Sequence, residues 1–140
     1  MSAAVLYLLD TNMAAYIVSG RSQAAQQAYL DAGLRSRIAI SAVTEGEIRF
    51  GLAKRPEAFR TRLFTEQFLG KVHSLPWDSP VAQTYGTLRA SLTAVGQTLS
   101  PLDLMIAAHA LALSATLVTH DQAFHRLAPM LSVVDWASDL

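Results

Sequence analysis

Short apolar runs that alternate with longer helix-forming segments are the feature that most constrains the fold of this chain. The runs occupy residues 5–9, 37–40, 72–75, 116–119 and 131–134. The segments of helical composition between them occupy residues 11–18, 23–34, 43–53, 57–69, 80–95 and 102–113. Strands that alternate with helices build a parallel sheet covered on both faces. The sequence therefore predicts an α/β fold, with three α/β/α layers around a parallel sheet of about five strands.

Length and composition predict one domain over residues 1–140. A chain of 140 residues that is 51% hydrophobic has enough apolar side chains for one core and little more. Residues 3–9 lack a basic start and are too short for a signal peptide, and residues 104–113 are about half the length that a bilayer requires. With no cysteine, disulfides and thiolate sites are excluded. We therefore expect a cytoplasmic protein without a membrane span.

Acidic side chains follow three of the predicted strands. Asp10 comes directly after the first run, Glu47 lies in the helix that follows the second, and Asp121 follows the fourth. Ligands of such sheets bind beyond the carboxyl ends of the strands, so these acids are candidates for one shared site. Asp103, near the start of an apolar helix, is the fourth candidate.

Each of these acids also has a purely structural explanation. Asp10 and Asp121 are suited to helix N-caps, and the pairs Thr44–Glu47 and Ser100–Asp103 have capping-box spacing. Taken singly, capping is the more common role of such residues. Only the occurrence of all four acids together favours a functional site.

Helical spacing distinguishes between the two acids of the second block. Glu47 is four residues from Val43 and three from Phe50, which predicts that it shares their apolar face. Glu45 then points roughly opposite, toward solvent. Asp103 begins a helix that is apolar nearly all round, which predicts that this acid lies at the rim of the core.

Several carboxylates in one cleft repel each other unless a cation neutralises them. Oxygen ligands without cysteine or a well-spaced histidine pair suit Mg²⁺, or Mn²⁺, better than zinc. Such an ion activates water and stabilises charge on a phosphate. This donor set therefore predicts metal-assisted phosphodiester hydrolysis.

Basic side chains are concentrated in one segment of a chain whose formal net charge is zero. Of the 11 basic residues, the members of this group are Arg49, Lys54, Arg55, Arg60 and Arg62. A patch of this kind can hold phosphate, and a solvated helix face explains it equally well. The candidates for substrate binding are Arg49, Lys54 and Arg55.

Four ordered motifs resemble those of the PIN-domain ribonucleases, and in particular the VapC-type toxins of bacterial toxin–antitoxin pairs. They are LLDTN at residues 8–12, SAVTEGEIRFG at 41–51, SPLDLMIAA at 100–108 and LVTHD at 117–121. Phe124 and VDW at residues 134–136 also fit the closing pattern. The resemblance spans essentially the whole chain.

The resemblance implies a metal-dependent endoribonuclease with a sheet of about five parallel strands. Its metal-binding carboxylates would be Asp10, Glu47, Asp103 and Asp121. The supporting polar residues would be Thr11, Asn12, Ser41 and Thr119, with Thr119 the one expected to reach the metal site. It also implies a homodimer and inhibition by a VapB-like antitoxin.

Two other functions fit these residues less well. A receiver or aspartyl-phosphate phosphatase requires a lysine after a late strand, and the two lysines, Lys54 and Lys71, are not so placed. A catalytically silent domain that only binds RNA or protein is expected to lose one or more of the acids, and all four are present.

Among the histidines, His109 is predicted to be a hydrogen-bonded core residue, and His120 is a possible contact to substrate.

Overall fold

A computed structural model describes residues 4–140. The first three residues of the predicted domain lie outside the described residues, and they include the first residue of the segment 3–9 that was judged too short for a signal peptide. Its sheet has five parallel strands in the order β3-β2-β1-β4-β5. Their bounds are β1 Leu6–Leu9, β2 Arg37–Ser41, β3 His73–Leu75, β4 Thr116–Val118 and β5 Val133–Val134. The predicted parallel sheet is confirmed, and every predicted strand is present: four are shorter than predicted, and β2 is one residue longer.

Helices connect the strands, and there are seven of them within residues 4–140. They are α1 Thr11–Ser19, α2 Gln23–Gly33, α3 Ala42–Lys54, α4 Phe59–Lys71, α5 Ser79–Ala94, α6 Pro101–Ala112 and α7 Gln122–His125. The first six confirm the predicted helical segments to within two residues at either end. Helix α7 was not predicted, because one turn of helix is too short to show the hydrophobic periodicity of a helix.

Two cores lie on opposite faces of the sheet. In β1, Leu8 belongs to the core shared with α5 and α6, whereas Leu9 belongs to the core shared with α1 and α4. Leu117 and Val118 of β4 divide in the same way, and all four side chains are fully buried. Since successive side chains of a strand point to opposite faces, an uninterrupted apolar run is what a sheet covered on both sides requires.

Helix N-termini gather along the carboxyl edge of the sheet. Asp10 follows β1 and caps α1, Ser41 ends β2 and caps α3, and Asp121 follows β4 and caps α7. Each of these side chains accepts a hydrogen bond from the first turn of its helix, which satisfies a backbone N–H that has no partner inside the helix. The capping roles considered for Asp10 and Asp121 are therefore confirmed, whereas the capping box considered for Thr44 and Glu47 was wrong, because Thr44 lies inside α3 and Ser41 caps this helix.

A buried hydrogen bond joins α3 to α6. His109 Nδ1 lies 2.8 Å from Ser41 Oγ, and both side chains are almost entirely buried. The pKa of His109 is lowered from its usual value, because burial disfavours the imidazolium more than the charge of Asp78 favours it. The prediction that His109 is a hydrogen-bonded core residue is confirmed.

Two packing expectations were wrong. The side chain of Phe50 is 64% exposed, so the face of α3 that Glu47 was expected to share is not continuous with the core. Helical spacing also predicts that Val95 shares a core face with Leu88 and Leu92, but Val95 ends α5 in an exposed turn. Within residues 4–140, no helix is both long and apolar enough to cross a bilayer.

Candidate active site

Asp10 is the most deeply placed of the four acids. It follows β1, and only 5% of its surface is exposed. Its Oδ1 accepts a 2.8 Å hydrogen bond from the backbone N–H of Met13, and its own N–H donates to the carbonyl of Val118 at 3.1 Å. The carboxylate is thus held where β1 and β4 end side by side.

Thr119 connects Asp10 to Asp121. The Thr119 side chain is fully buried, and its hydroxyl is close enough to the Asp10 carboxylate to lower the pKa of that group. The same hydroxyl oxygen accepts the backbone N–H of Asp121 at 3.0 Å. Asp121 is exposed, and its Oδ1 accepts from the N–H of Ala123 at 2.9 Å. A residue expected to support the site therefore links two of the predicted acids.

Asp103 reaches the same region from α6. Ser100 caps this helix, and its Oγ accepts the backbone N–H of Asp103 at 3.2 Å. The capping interaction uses the backbone of Asp103, so its carboxylate stays free for the site. Its charge, like that of Asp121, is close enough to act on Asp10.

Glu47 is held by a different residue of the first motif. Thr11 Oγ1 donates to Glu47 Oε1 at 2.7 Å and lies 3.3 Å from the hydroxyl of Thr44, which is fully buried. Because Thr11 directly follows Asp10, this bond holds Glu47 to the amino end of α1. Thr44 is a residue that the sequence analysis considered only as a possible cap.

Glu45 makes other contacts than Glu47, but its side chain is only 29% exposed, so the prediction that it faces solvent was wrong. Its Oε2 accepts a 2.6 Å hydrogen bond from Arg49, and Ser74 donates a further one. Both contacts lower the pKa of the Glu45 carboxyl, and the bond from Ser74 is the larger cause. Helical spacing thus distinguished the two acids of the second block, although Phe50 was wrongly placed.

Burial and neighbouring charge act on Asp10 together. The pKa of Asp10 is raised from 3.8 to about 6, mainly by burial and to a smaller extent by the charges of Asp103 and Asp121, while the Thr119 hydroxyl and the N–H of Met13 oppose the shift. None of the four acids forms an ion pair within residues 4–140, where the ion pairs involve Glu45, Glu66 and Asp135. The described chain therefore supplies no cation to offset a buried carboxylate.

The donor set fits a hard divalent cation, although the described side chains do not form a closed cage. Within residues 4–140, no three acidic or imidazole side chains converge closely enough to enclose an ion. All the available groups are carboxylate or hydroxyl oxygens, which suit Mg²⁺ and Mn²⁺. An ionised Asp10 without a counter-charge is what such an ion would stabilise.

The remaining supporting residues form no side-chain hydrogen bond to the four acids within residues 4–140. Asn12 is exposed and makes no side-chain hydrogen bond in the described part of the chain. Ser41 bonds to His109 and to the N–H of Val43, so it acts on the start of α3. Its connection to the acids is indirect, through the helix that carries Glu47.

The basic segment is partly neutralised. Arg49 pairs with Glu45 at 2.6 Å and approaches Glu66 at 3.7 Å. The ammonium group of Lys54 lies 5.0 Å from the centre of the Phe50 ring, and Arg55 is exposed at the end of α3. Of the three candidates, Lys54 and Arg55 have no acidic partner among residues 4–140.

Comparison with known proteins assigns the fold to a family. The family model described as PIN domain matches residues 7–129. Ribonuclease VapC2 of Rickettsia felis is 27% identical over 94% of this chain and 98% of its own length. The tRNA(fMet)-specific endonuclease VapC of Shigella flexneri is also 27% identical over the same shares of the two chains.

Solved structures give the same result. A chain of VapBC2 from Rickettsia felis, crystallised with a DNA fragment from its promoter, superposes with a TM-score of 0.87 at 28% identity. It covers 94% of this chain and 99% of that one. DNA-bound VapBC from Salmonella typhimurium gives 0.84 at 26% identity, with 94% and 98% covered.

Replacing Asp10 by Asn is expected to stabilise the metal-free protein at high pH. Since the folded-state pKa is raised from 3.8 to about 6, ionisation costs folding stability as the pH rises through this interval. Above it, the substitution should raise the free energy of unfolding by up to about 3 kcal/mol, and near pH 4 the difference should vanish. Thermal melting of both proteins in a chelator, between about pH 4 and pH 8, measures this.

Asp139→Asn is the matched control with the opposite sign. Hydrogen bonds, first that from Ser22, lower the pKa of Asp139, so its ionised form stabilises the fold. This variant should lose stability at high pH. If Asp10→Asn also melts lower at pH 8, burial of its charge is not the dominant effect.

Proposed function

This chain belongs to the PIN domain family, and we propose that it is an endoribonuclease that hydrolyses RNA phosphodiester bonds as the toxin of a toxin–antitoxin pair. One observation carries the proposal. The charges of Asp103 and Asp121 act on the buried Asp10 carboxylate, and no cation of the described chain pairs with any of the three. A nuclease that uses a divalent ion needs such an arrangement, and a structural cap does not.

We propose that the ion is bound by Asp10, Glu47, Asp103 and Asp121. The preferred ion is Mg²⁺, with Mn²⁺ as the alternative. When bound, such an ion lowers the pKa of a water molecule and offsets charge on the phosphate. Two threonines orient the ligands: the hydroxyl of Thr119 lies beside the Asp10 carboxylate, and that of Thr11 donates to Glu47. Hydrogen bonds of this kind hold a carboxylate in one orientation, which limits the reorganisation needed on binding.

The acids would repel RNA unless cations nearby attract the phosphates. We propose that Arg49, Lys54 and Arg55 provide part of this attraction. Lys54 and Arg55 would contribute most, since the charge of Arg49 is offset by Glu45. Their effect would appear in the salt dependence of RNA binding.

Control of the activity would come from a second protein. The structural relatives from Rickettsia felis and Salmonella typhimurium are VapBC complexes bound to DNA. By analogy, we propose that this chain forms a homodimer and is inhibited by a VapB-like antitoxin. Its acidic cleft would suit an inhibitor that inserts Arg or Lys, since a guanidinium can pair with a carboxylate through two hydrogen bonds. We propose that the chain acts in the cytoplasm, where it would meet both RNA and an antitoxin.

Neutral substitution of the acids is expected to abolish RNA cleavage while the fold is kept. Asp103→Asn and Glu47→Gln should each lower the cleavage rate at least about a hundredfold. Outer-shell partners of a metal site are already worth about 10- to 100-fold, and a direct ligand should be worth no less. Cleavage of total bacterial RNA and thermal melting, measured on the same samples, test this.

Glu45→Gln is the matched control for Glu47→Gln. It removes the same charge from the same helix, at a side chain bound to Arg49 and Ser74. Its cleavage rate should stay close to that of the unsubstituted chain. Full activity of a well-folded Asp103→Asn variant would contradict the assignment of the site.

Divalent metal is expected to stabilise the folded chain, because the ion binds only the assembled site. At about a hundred times its dissociation constant, Mg²⁺ or Mn²⁺ should add about 3 kcal/mol to the free energy of unfolding. Asp10→Asn should remove most of this gain. Undiminished cleavage in excess chelator, with no metal-dependent change in melting, would contradict the proposed ion.

Toxicity in a bacterial host is expected to depend on the same acids. Expression of the chain alone should arrest growth and generate new RNA ends, whereas expression of Asp10→Asn should not. Co-expression of the neighbouring reading frame, where an antitoxin would be encoded, should restore growth. Equal arrest by the Asp10→Asn form would show that the toxicity does not arise from this site.

A further inference from the structure

A row of one cation and two rings runs from the acids along α1. His120 lies between Thr119 and Asp121, and its ring stands edge-on to that of Tyr16, with 6.5 Å between the centroids. On Tyr16, in turn, lies the guanidinium carbon of Arg21, 5.5 Å from the ring centre. The row is therefore continuous with the site at one end and reaches the solvent at the other.

His120 is held in a defined orientation. Its Nδ1 lies 2.8 Å from Asp135 Oδ2, while Asp135 Oδ1 accepts the backbone N–H of Ala137 at 2.8 Å. An ionised carboxylate can only accept, so Nδ1 carries the hydrogen and Nε2 is the nitrogen available to another molecule. With its side chain 35% exposed, His120 offers this nitrogen at the surface.

Arg21 is positioned by the turn that ends α1. Gly20 adopts a left-handed conformation with φ 75°, and the N–H of Arg21 donates to Ser19 Oγ at 3.2 Å. The next residue, Ser22, is buried and bonded to Asp139. The backbone beneath Arg21 is thus tied down on both sides, although its side chain is exposed.

The charge of Arg21 is not offset. Within residues 4–140 it forms no ion pair, in contrast to Arg49, which pairs with two glutamates. A cleft lined by carboxylates repels phosphates, so a substrate strand needs an unneutralised cation beside the cleft. Single-stranded nucleic acid is bound by cations that contact the backbone together with aromatic rings on which bases stack.

We propose that Tyr16, Arg21 and His120 form a subsite for one single-stranded RNA nucleotide that flanks the cleaved bond. Arg21 contacts its phosphate, the Tyr16 ring contacts its base, and His120 Nε2 hydrogen-bonds to it. This inference rests on the proposed ribonuclease function. It assigns a role to the α1 side of the cleft, whereas the basic segment lies on α3, on α4 and between them.

Binding of labelled, random-sequence single-stranded RNA oligonucleotides to Asp10→Asn protein tests the subsite without cleavage. Arg21→Ala should weaken binding. It should also reduce the steepness of the plot of the logarithm of the association constant against the logarithm of the salt concentration by about 0.7, the value for one phosphate contact on a single strand. Tyr16→Leu should weaken binding by about tenfold, whereas Tyr16→Phe, which keeps the ring, should not. His120→Ala should weaken binding several-fold.

Arg89→Ala is the matched control. Arg89 is also an exposed arginine beside a tyrosine, since its Nη1 donates to the hydroxyl of Tyr85 at 3.2 Å, but it lies on α5. It should leave both the affinity and the salt slope nearly unchanged. Thermal melting of every variant separates lost contacts from lost folding.

Cleavage by the unsubstituted chain is measured in parallel, so that the two proposals fail in different ways. If that chain cleaves RNA and Arg21→Ala and Tyr16→Leu bind RNA like Arg89→Ala, the subsite is overturned and the ribonuclease function stands. If the unsubstituted chain neither binds nor cleaves RNA, the function fails and the subsite with it.

Discussion

The rest of the site depends on the burial of the Asp10 carboxylate. This group lies at the end of β1 with no cation of the described chain beside it. It caps α1 through Met13, lies beside the Thr119 hydroxyl, and is close enough to Asp103 and Asp121 for their charges to raise its pKa. Removing such a group from water is costly unless hydrogen bonds and an opposite charge compensate. The protein provides the hydrogen bonds, and the proposed ion would provide the charge.

Capping and function are compatible at these positions, because each acid has two oxygens. One oxygen of Asp10 accepts the N–H of Met13, and one oxygen of Asp121 accepts that of Ala123, which leaves the other free. Asp103 goes further, since its capping interaction uses only the backbone N–H. For Asp10, Asp103 and Asp121, the structural explanation is therefore part of how the site is built, and it does not compete with the functional one.

The helices that carry the acids are held together from both sides. Thr11 and Glu47 join α1 to α3, and His109 and Ser41 join α3 to α6 through a buried bond. Both bonds connect residues far apart in the chain. Since bonds in a buried setting allow little movement, they keep the acids at a common edge even when their charges repel.

Much of this could be predicted from the sequence, because the relevant signals are local. Uninterrupted apolar runs determine buried parallel strands, and a three- or four-residue spacing separated Glu47 from Glu45. What tertiary structure alone decided depends on contacts between distant segments. The pairing of Thr11 with Glu47, the exposure of Phe50, the ion pairs that neutralise Arg49, and the approach of Arg21 and His120 to Tyr16 each require the fold to bring side chains together. No spacing along the chain encodes such contacts, because they arise from the order of strands in the sheet and the packing of helices upon it.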